Sequence, residues 1–153
     1  MTPGNATLSG ELRVMARNVE SEMEFINLWM RREHPNANVY GKMRVGRPPA
    51  GDVLVGVTRV YPDKIFIENG AVFIVEGKIV PTSAAVGQLE NYVRLFPETP
   101  EFFFAKDYPV KGILLVAVDR SQVRTFAESK GFEYVVFKPP EVEQIVRDRL
   151  RID

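Results

Sequence analysis

Asn69-Gly70 sits between two apolar runs, residues 65–67 and 72–75. An Asn-Gly pair in that setting is the strongest short-range signal for a two-residue β-hairpin turn. Such a turn fixes the whole register. Glu68 faces Ala71, Ile67 faces Val72, Phe66 faces Phe73, Ile65 faces Ile74, Lys64 faces Val75 and Asp63 faces Glu76. Opposed side chains share a face, with Cβ atoms roughly 4.5–5.5 Å apart. Strand alternation adds Lys78 to the face of Glu76. The turn alone therefore brings two carboxylates and an amine to one end of a hairpin.

Like charges directly opposite in a sheet are destabilising, and Ile65, Ile67, Val72 and Ile74 make the rest of that face apolar. Two acids at the end of an apolar face suit a divalent cation that prefers oxygen ligands, magnesium or manganese. A lysine beside them can orient water or neutralise developing charge. The other reading is a hairpin end at which Asp63 and Glu76 reach solvent and Lys78 screens them.

Pro62-Asp63, a hairpin, and then Glu76-Gly77-Lys78 resemble the signature of the PD-(D/E)xK nuclease superfamily. Gln88 and Tyr92, spaced as Gln-x-x-x-Tyr on the next helix, are similar to the extra motif of its RecB-like branch. Each short string recurs by chance; their order and the hairpin between them carry the resemblance. It implies that Asp63 and Glu76 hold Mg2+ or Mn2+, with the Gly77 carbonyl as a further ligand. Lys78 would act on water or on the phosphate, and Gln88 and Tyr92 would contact the DNA strand. The superfamily often places a glutamate of its first helix near the metal, which points to Glu22. Gly77 departs from the pattern, because a larger residue is usual there, and a glycine is expected to loosen the local backbone. Some relatives of the RecB-like branch carry an iron–sulfur cluster; this chain has no cysteine with which to bind one.

The 153 residues suit one domain with one substantial core. The absence of cysteine also excludes disulfides and thiolate-bound zinc. No apolar stretch is long enough to span a membrane, and the first residues lack a secretory pattern, so an intracellular, cytoplasmic protein is expected. Twenty basic and twenty acidic residues balance to zero formal charge, which implies modest intrinsic affinity for nucleic acid. A partner protein or a homodimer would supply the rest. Between Arg31 and Lys64 seven bases face three acids. That excess fits either a local backbone-binding surface or an ordinary solvated one.

Along the chain, residues 1–10 lack periodicity and read as mobile. Residues 11–33 carry a helical stripe of Met15, Val19, Ile26 and Met30, joined by Met23 and Trp29. Glu22 falls within the stripe, so it needs a partner, either a metal site or an arginine, or else reaches solvent from the stripe's edge. His34, the only histidine, precedes Pro35 and reads as a helix C-terminal cap without chemistry. Strands are expected over 38–45 and 53–61, with Asp52 at a turn as an alternative acid. Thr82 or Ser83 opens a helix with a core face of Val86, Leu89, Val93 and Phe96. Gln88 and Tyr92 flank that face, either toward a cleft or as a core-rim pair. A buried strand at 111–118, a helix at 119–130, a strand at 132–137 and a helix at 141–150 complete the order. In the last helix Val142, Ile145, Val146 and Leu150 should point inward.

This order predicts a single α/β domain with a mixed central β-sheet flanked by helices, a restriction-endonuclease-like nuclease core. The resemblance implies a metal-dependent deoxyribonuclease of exonuclease type. Two alternatives are a structure-selective endonuclease resembling Holliday-junction resolvases and a non-catalytic DNA-binding module.

Overall fold

The computed structural model describes residues 17–41, 43–47 and 60–152, the side chain of Ile152 excepted. The expected mobile start, the helix over 11–16, Asp52 and most of the strand over 53–61 lie outside the described residues.

The hairpin forms as its turn dictates. Asn69 and Gly70 both take positive φ, 52° and 73°, the geometry of a type I′ turn. β2 (Lys64–Glu68) and β3 (Ala71–Lys78) pair from Glu68↔Ala71 to Lys64↔Val75. The short β1 (Asn38–Tyr40) adds antiparallel to β2. On the other side β4 (Val110–Val116) and β5 (Glu133–Val136) run parallel to β3. The result is a five-stranded mixed sheet in simple sequential order.

Helices cover both faces. α2 (Ser83–Leu95) connects β3 to β4, and α3 (Ser121–Ser129) connects β4 to β5. They bury Val86, Leu89, Val123 and Ala127 with Ile65, Ile74, Leu114 and Val116. α1 (Glu22–Glu33) and α4 (Glu143–Ile152) cover the opposite face, where Phe25, Ile26, Ile145 and Val146 meet Phe66, Val75, Ile113 and Leu115. Strand alternation thus separates Ile74 and Glu76 on the α2 face from Val75 and Gly77 on the α1 face.

Among the described residues of the expected first helix, the helical turns start at Glu22. Residues 17–20 are not helical, and α1 begins at Glu22 with Ser21 as N-cap. The Ser21 hydroxyl accepts from Glu24 N–H at 3.2 Å, and the Glu24 carboxylate accepts from Glu20 N–H at 3.1 Å. Ser-x-x-Glu is a start signal that overrides the apolar stripe upstream. Val19 is still buried, but as extended chain, donating its N–H to Glu141 O at 2.8 Å. Met23 is 40% exposed, and Phe25 and Leu28 take the core positions. Leu150, expected inward, is also 40% exposed. His34 is the cap the sequence suggests. Its N–H reaches Met30 O, and its ring bonds Glu68 at 2.8 Å between Trp29 and Phe66.

Of the expected strand over 38–45, Asn38–Tyr40 form β1. Further on, Val45 and Val60 form one antiparallel bridge. Thr99, fully buried after α2, anchors this stretch by accepting from Gly46 N–H at 2.8 Å. Among the described residues no helix is long and apolar enough to cross a membrane.

Candidate active site

β2 and β3 stop pairing at Lys64↔Val75, one rung short of Asp63 and Glu76. Asp63 Oδ2 instead accepts from Gly77 N–H at 2.9 Å. In an extended strand the N–H and C=O of one residue point to the same side, and alternate residues serve alternate neighbours. Gly77 therefore turns both its backbone groups toward Asp63, past the end of the ladder. Lys78 continues the parallel pairing to Val116.

Glu76 is 2% exposed, and its Oε1 is buried with no hydrogen-bond partner. Burial first, and then the hydrogen-bonded Asp63 carboxylate, push the Glu76 carboxyl up to about 9; Lys78 pulls it partly back. A protonated acid with an orphaned oxygen beside a second acid is a costly arrangement in a core. Two carboxylates, one of them with a partnerless buried oxygen, and a backbone carbonyl form a hard donor set. They fit a magnesium-like cation, which typically takes one or two protein carboxylates and leaves its other positions to water and phosphate. Among the described residues no three His, Asp or Glu side chains gather into a fuller cage.

Tyr92 lies beneath this pair. The residue is 9% exposed and belongs to the α2-side core. Burial, followed by the charges of Glu76 and Asp63, raises its hydroxyl to about 12. Tyr92 is thus a core residue whose electrostatic neighbours are the two acids, and its ring is closed to stacking. Gln88, one turn earlier, is exposed.

Glu22 reaches the same end of β3 from the other face of the sheet. α1 packs on the other face of the sheet, and the Glu22 carboxylate is gripped by the Arg149 fork at 2.7 and 3.1 Å. Its Oε2 also stands 3.5 Å from Ile79 N, just past the end of β3. Burial alone would raise Glu22, but the Arg149 guanidinium holds it below its ordinary value. The arginine is one of the partners that its position in the stripe allows.

The fold has solved counterparts. It is shared with a repair endonuclease from Pyrococcus abyssi. That structure matches with a TM-score of 0.50 and 23% identity over 80% of this chain and 49% of the other. EndoMS bound to double-stranded DNA gives 0.48 at 23% identity, over 78% of this chain and 45% of the other. EndoMS in its apo form gives 0.48 at 24%, over 80% and 48%. The chain spans about half the length of these proteins. No protein-family model matches it, and no curated protein matches it.

Two features of the site escape sequence reading. Arg149 lies 127 residues from Glu22, and a base in the last turn of a helix reads only as a dipole partner. Gly77 does not loosen the strand; β3 runs through it. Its missing side chain admits α1 instead, because a Cβ there would stand 2.5 Å from Ile26 Cγ1. Ile26 is fully buried and β-branched, so it has little freedom to yield. Gly77→Ala is expected to cost about 1–3 kcal/mol by overpacking, read as a lower urea midpoint at unchanged m. An unchanged midpoint would show that Ile26 repacks freely. Beyond β3 a cavity of about 700 Å3 is lined by Thr82, Arg120, Ser121 and Arg149, among others. Neither acid borders it.

Proposed function

We propose that this chain is a metal-dependent deoxyribonuclease of the PD-(D/E)xK superfamily that hydrolyses DNA phosphodiester bonds. One observation carries the reading: the buried, partnerless Oε1 of Glu76 beside Asp63, with Lys78 two residues on along the same face. A retired site would have no reason to keep opposed acids in an apolar core. The fold shared with a repair endonuclease supports the reading.

Asp63 and Glu76 would hold Mg2+ or Mn2+, with the Gly77 carbonyl as the third protein ligand. Such a cation polarises a phosphoryl oxygen and makes water a better nucleophile at neutral pH. Gly77 N–H fixes the Asp63 carboxylate by holding its Oδ2. Lys78 orients the attacking water or neutralises charge developing on the phosphate. The water oxygen bonds to phosphorus and gives up a proton to solvent, the opposite P–O bond breaks, and the leaving oxygen takes a proton from solvent, with no covalent intermediate. Gln88 contacts the strand from its exposed turn, and Tyr92 supports the acids from below. Glu22, locked to Arg149, steadies the end of β3; a direct part in catalysis would require that pair to open.

An exonuclease reading rests on Gln88 and Tyr92 guiding a strand. The burial of the Tyr92 ring weakens that basis, and the named activity of the Pyrococcus abyssi neighbour favours an endonuclease as the second reading. Linear and closed circular DNA, each with and without Mg2+, separate the two. Exonuclease action spares the circle, and endonuclease action opens it.

The metal assignment has its own test. Mg2+ is expected to raise the melting temperature of the wild type, because a ligand bound only by the native state stabilises it by mass action. Asp63→Asn should lose most of that rise. Equal shifts in both proteins would place the cation elsewhere.

A further inference from the structure

Val45 and Val60 bridge antiparallel through hydrogen bonds of 2.8 and 3.2 Å, which makes Arg44 and Tyr61 directly opposed neighbours. Val45 is fully buried in the α2-side core, so the alternate positions turn outward. Tyr61 is 51% exposed. The Arg44 guanidinium lies against its ring, Cζ 5.1 Å from the centroid, and Nε donates to the Tyr61 hydroxyl. The pair stands immediately before Pro62-Asp63. Tyr61 is two residues from Asp63 in the chain, a span of at most roughly 7 Å, about the reach from one nucleotide to the next along a strand.

We propose that Arg44 and Tyr61 form a substrate subsite that binds the nucleotide next to the scissile phosphate. This inference rests on the nuclease reading above. An exposed tyrosine ring beside a cleavage site offers a face on which any base can stack. The guanidinium lies over one side of the ring, bonds its hydroxyl and keeps its remaining N–H donors for a phosphate oxygen. The ring supplies sequence-tolerant stacking, and the arginine adds a second cation to that of Lys78 in a chain of zero formal charge. Tyr92 cannot provide that stacking, because its ring is buried.

Binding of a labelled oligothymidylate is measured with Mg2+ in a Lys78→Ala background, which leaves the strand uncut. Tyr61→Leu keeps bulk but removes the π face, and affinity should fall roughly ten- to a hundred-fold. Tyr61→Phe should bind within a few-fold of the parent. Arg44→Gln should weaken binding and reduce the slope of log affinity against log salt by about 0.7, the value for one phosphate contact on a single strand. The Mg2+-induced melting shift should survive in all three. Unchanged affinity in Tyr61→Leu, or an unchanged salt slope in Arg44→Gln, would overturn the subsite and leave a surface pair that only braces the Val45–Val60 bridge. If wild type takes up Mg2+ yet neither binds nor cuts DNA, the nuclease reading itself falls, and the subsite with it.

Discussion

Lys78→Ala is expected to cut DNA cleavage by roughly 10²–10³-fold, the usual loss when one preorganised charge aimed at a transition state is removed. The variant should still melt at a higher temperature in Mg2+. Lys78 lies on the acid face but is a cation, so it can act on water or phosphate and cannot ligate the metal as the carboxylates do. Its charge also lowers the proton affinity of Glu76. The alanine variant should therefore need slightly higher pH or more Mg2+ to reach the same melting shift. Single-turnover cleavage at saturating Mg2+ separates the two effects. Cleavage at the wild-type rate would remove Lys78 from the chemistry and leave it a screening charge at a hairpin end.

Without divalent cations, raising the pH from about 5 to 9 should destabilise the fold. Native Glu76 keeps its proton up to about 9, against an ordinary value of 4.5. Between those values the native state holds the extra proton, so stability is fully present below the lower value and is lost as pH rises through the upper one. The slope is at most about 1.4 kcal/mol per pH unit. Glu22, held low by Arg149, titrates below this window and does not mask it. Glu76→Gln should flatten the profile and raise the cation-free melting temperature at pH 8. Mg2+ should recover the wild type at pH 8 and leave the glutamine variant nearly unmoved. A flat wild-type profile from pH 5 to 9 would mean that Glu76 is ionised in the native state and that its partnerless oxygen has another explanation.

The acid pair was legible because one turn decides it. Asn69 and Gly70 accept positive φ, every pairing down to Lys64 and Val75 follows by counting, and Asp63 and Glu76 come next, just past the last paired rung. The helices after β3 were legible for the same local reason, as caps and apolar periods lie within a few residues of each other. What the sequence hid was long-range. Nothing near Glu22 announces Arg149, and nothing near Gly77 announces Ile26; both contacts exist only once α1 and α4 lie across the sheet. Tyr92 misleads in a different way. Its spacing from Gln88 places it at the edge of the core face, but α2 rolls so that Tyr92 is buried and its neighbour Val93 only partly so. A helical wheel cannot fix that rotation to within one residue.

Turns are where proteins ordinarily absorb insertions and deletions. The turn at Asn69-Gly70 is denied that freedom. Asp63 and Glu76 stand thirteen positions apart in the chain and meet only because the turn between them has a fixed length. One residue gained or lost there would slip the register and turn one strand's side chains to the opposite face. Glu76 would then be driven toward Ile26, where even a methyl group does not fit opposite Gly77. In descendants of this chain that keep the chemistry, length should drift elsewhere while the count from Asp63 to Lys78 stays frozen. In descendants that abandon it, this turn should be among the first places to change size.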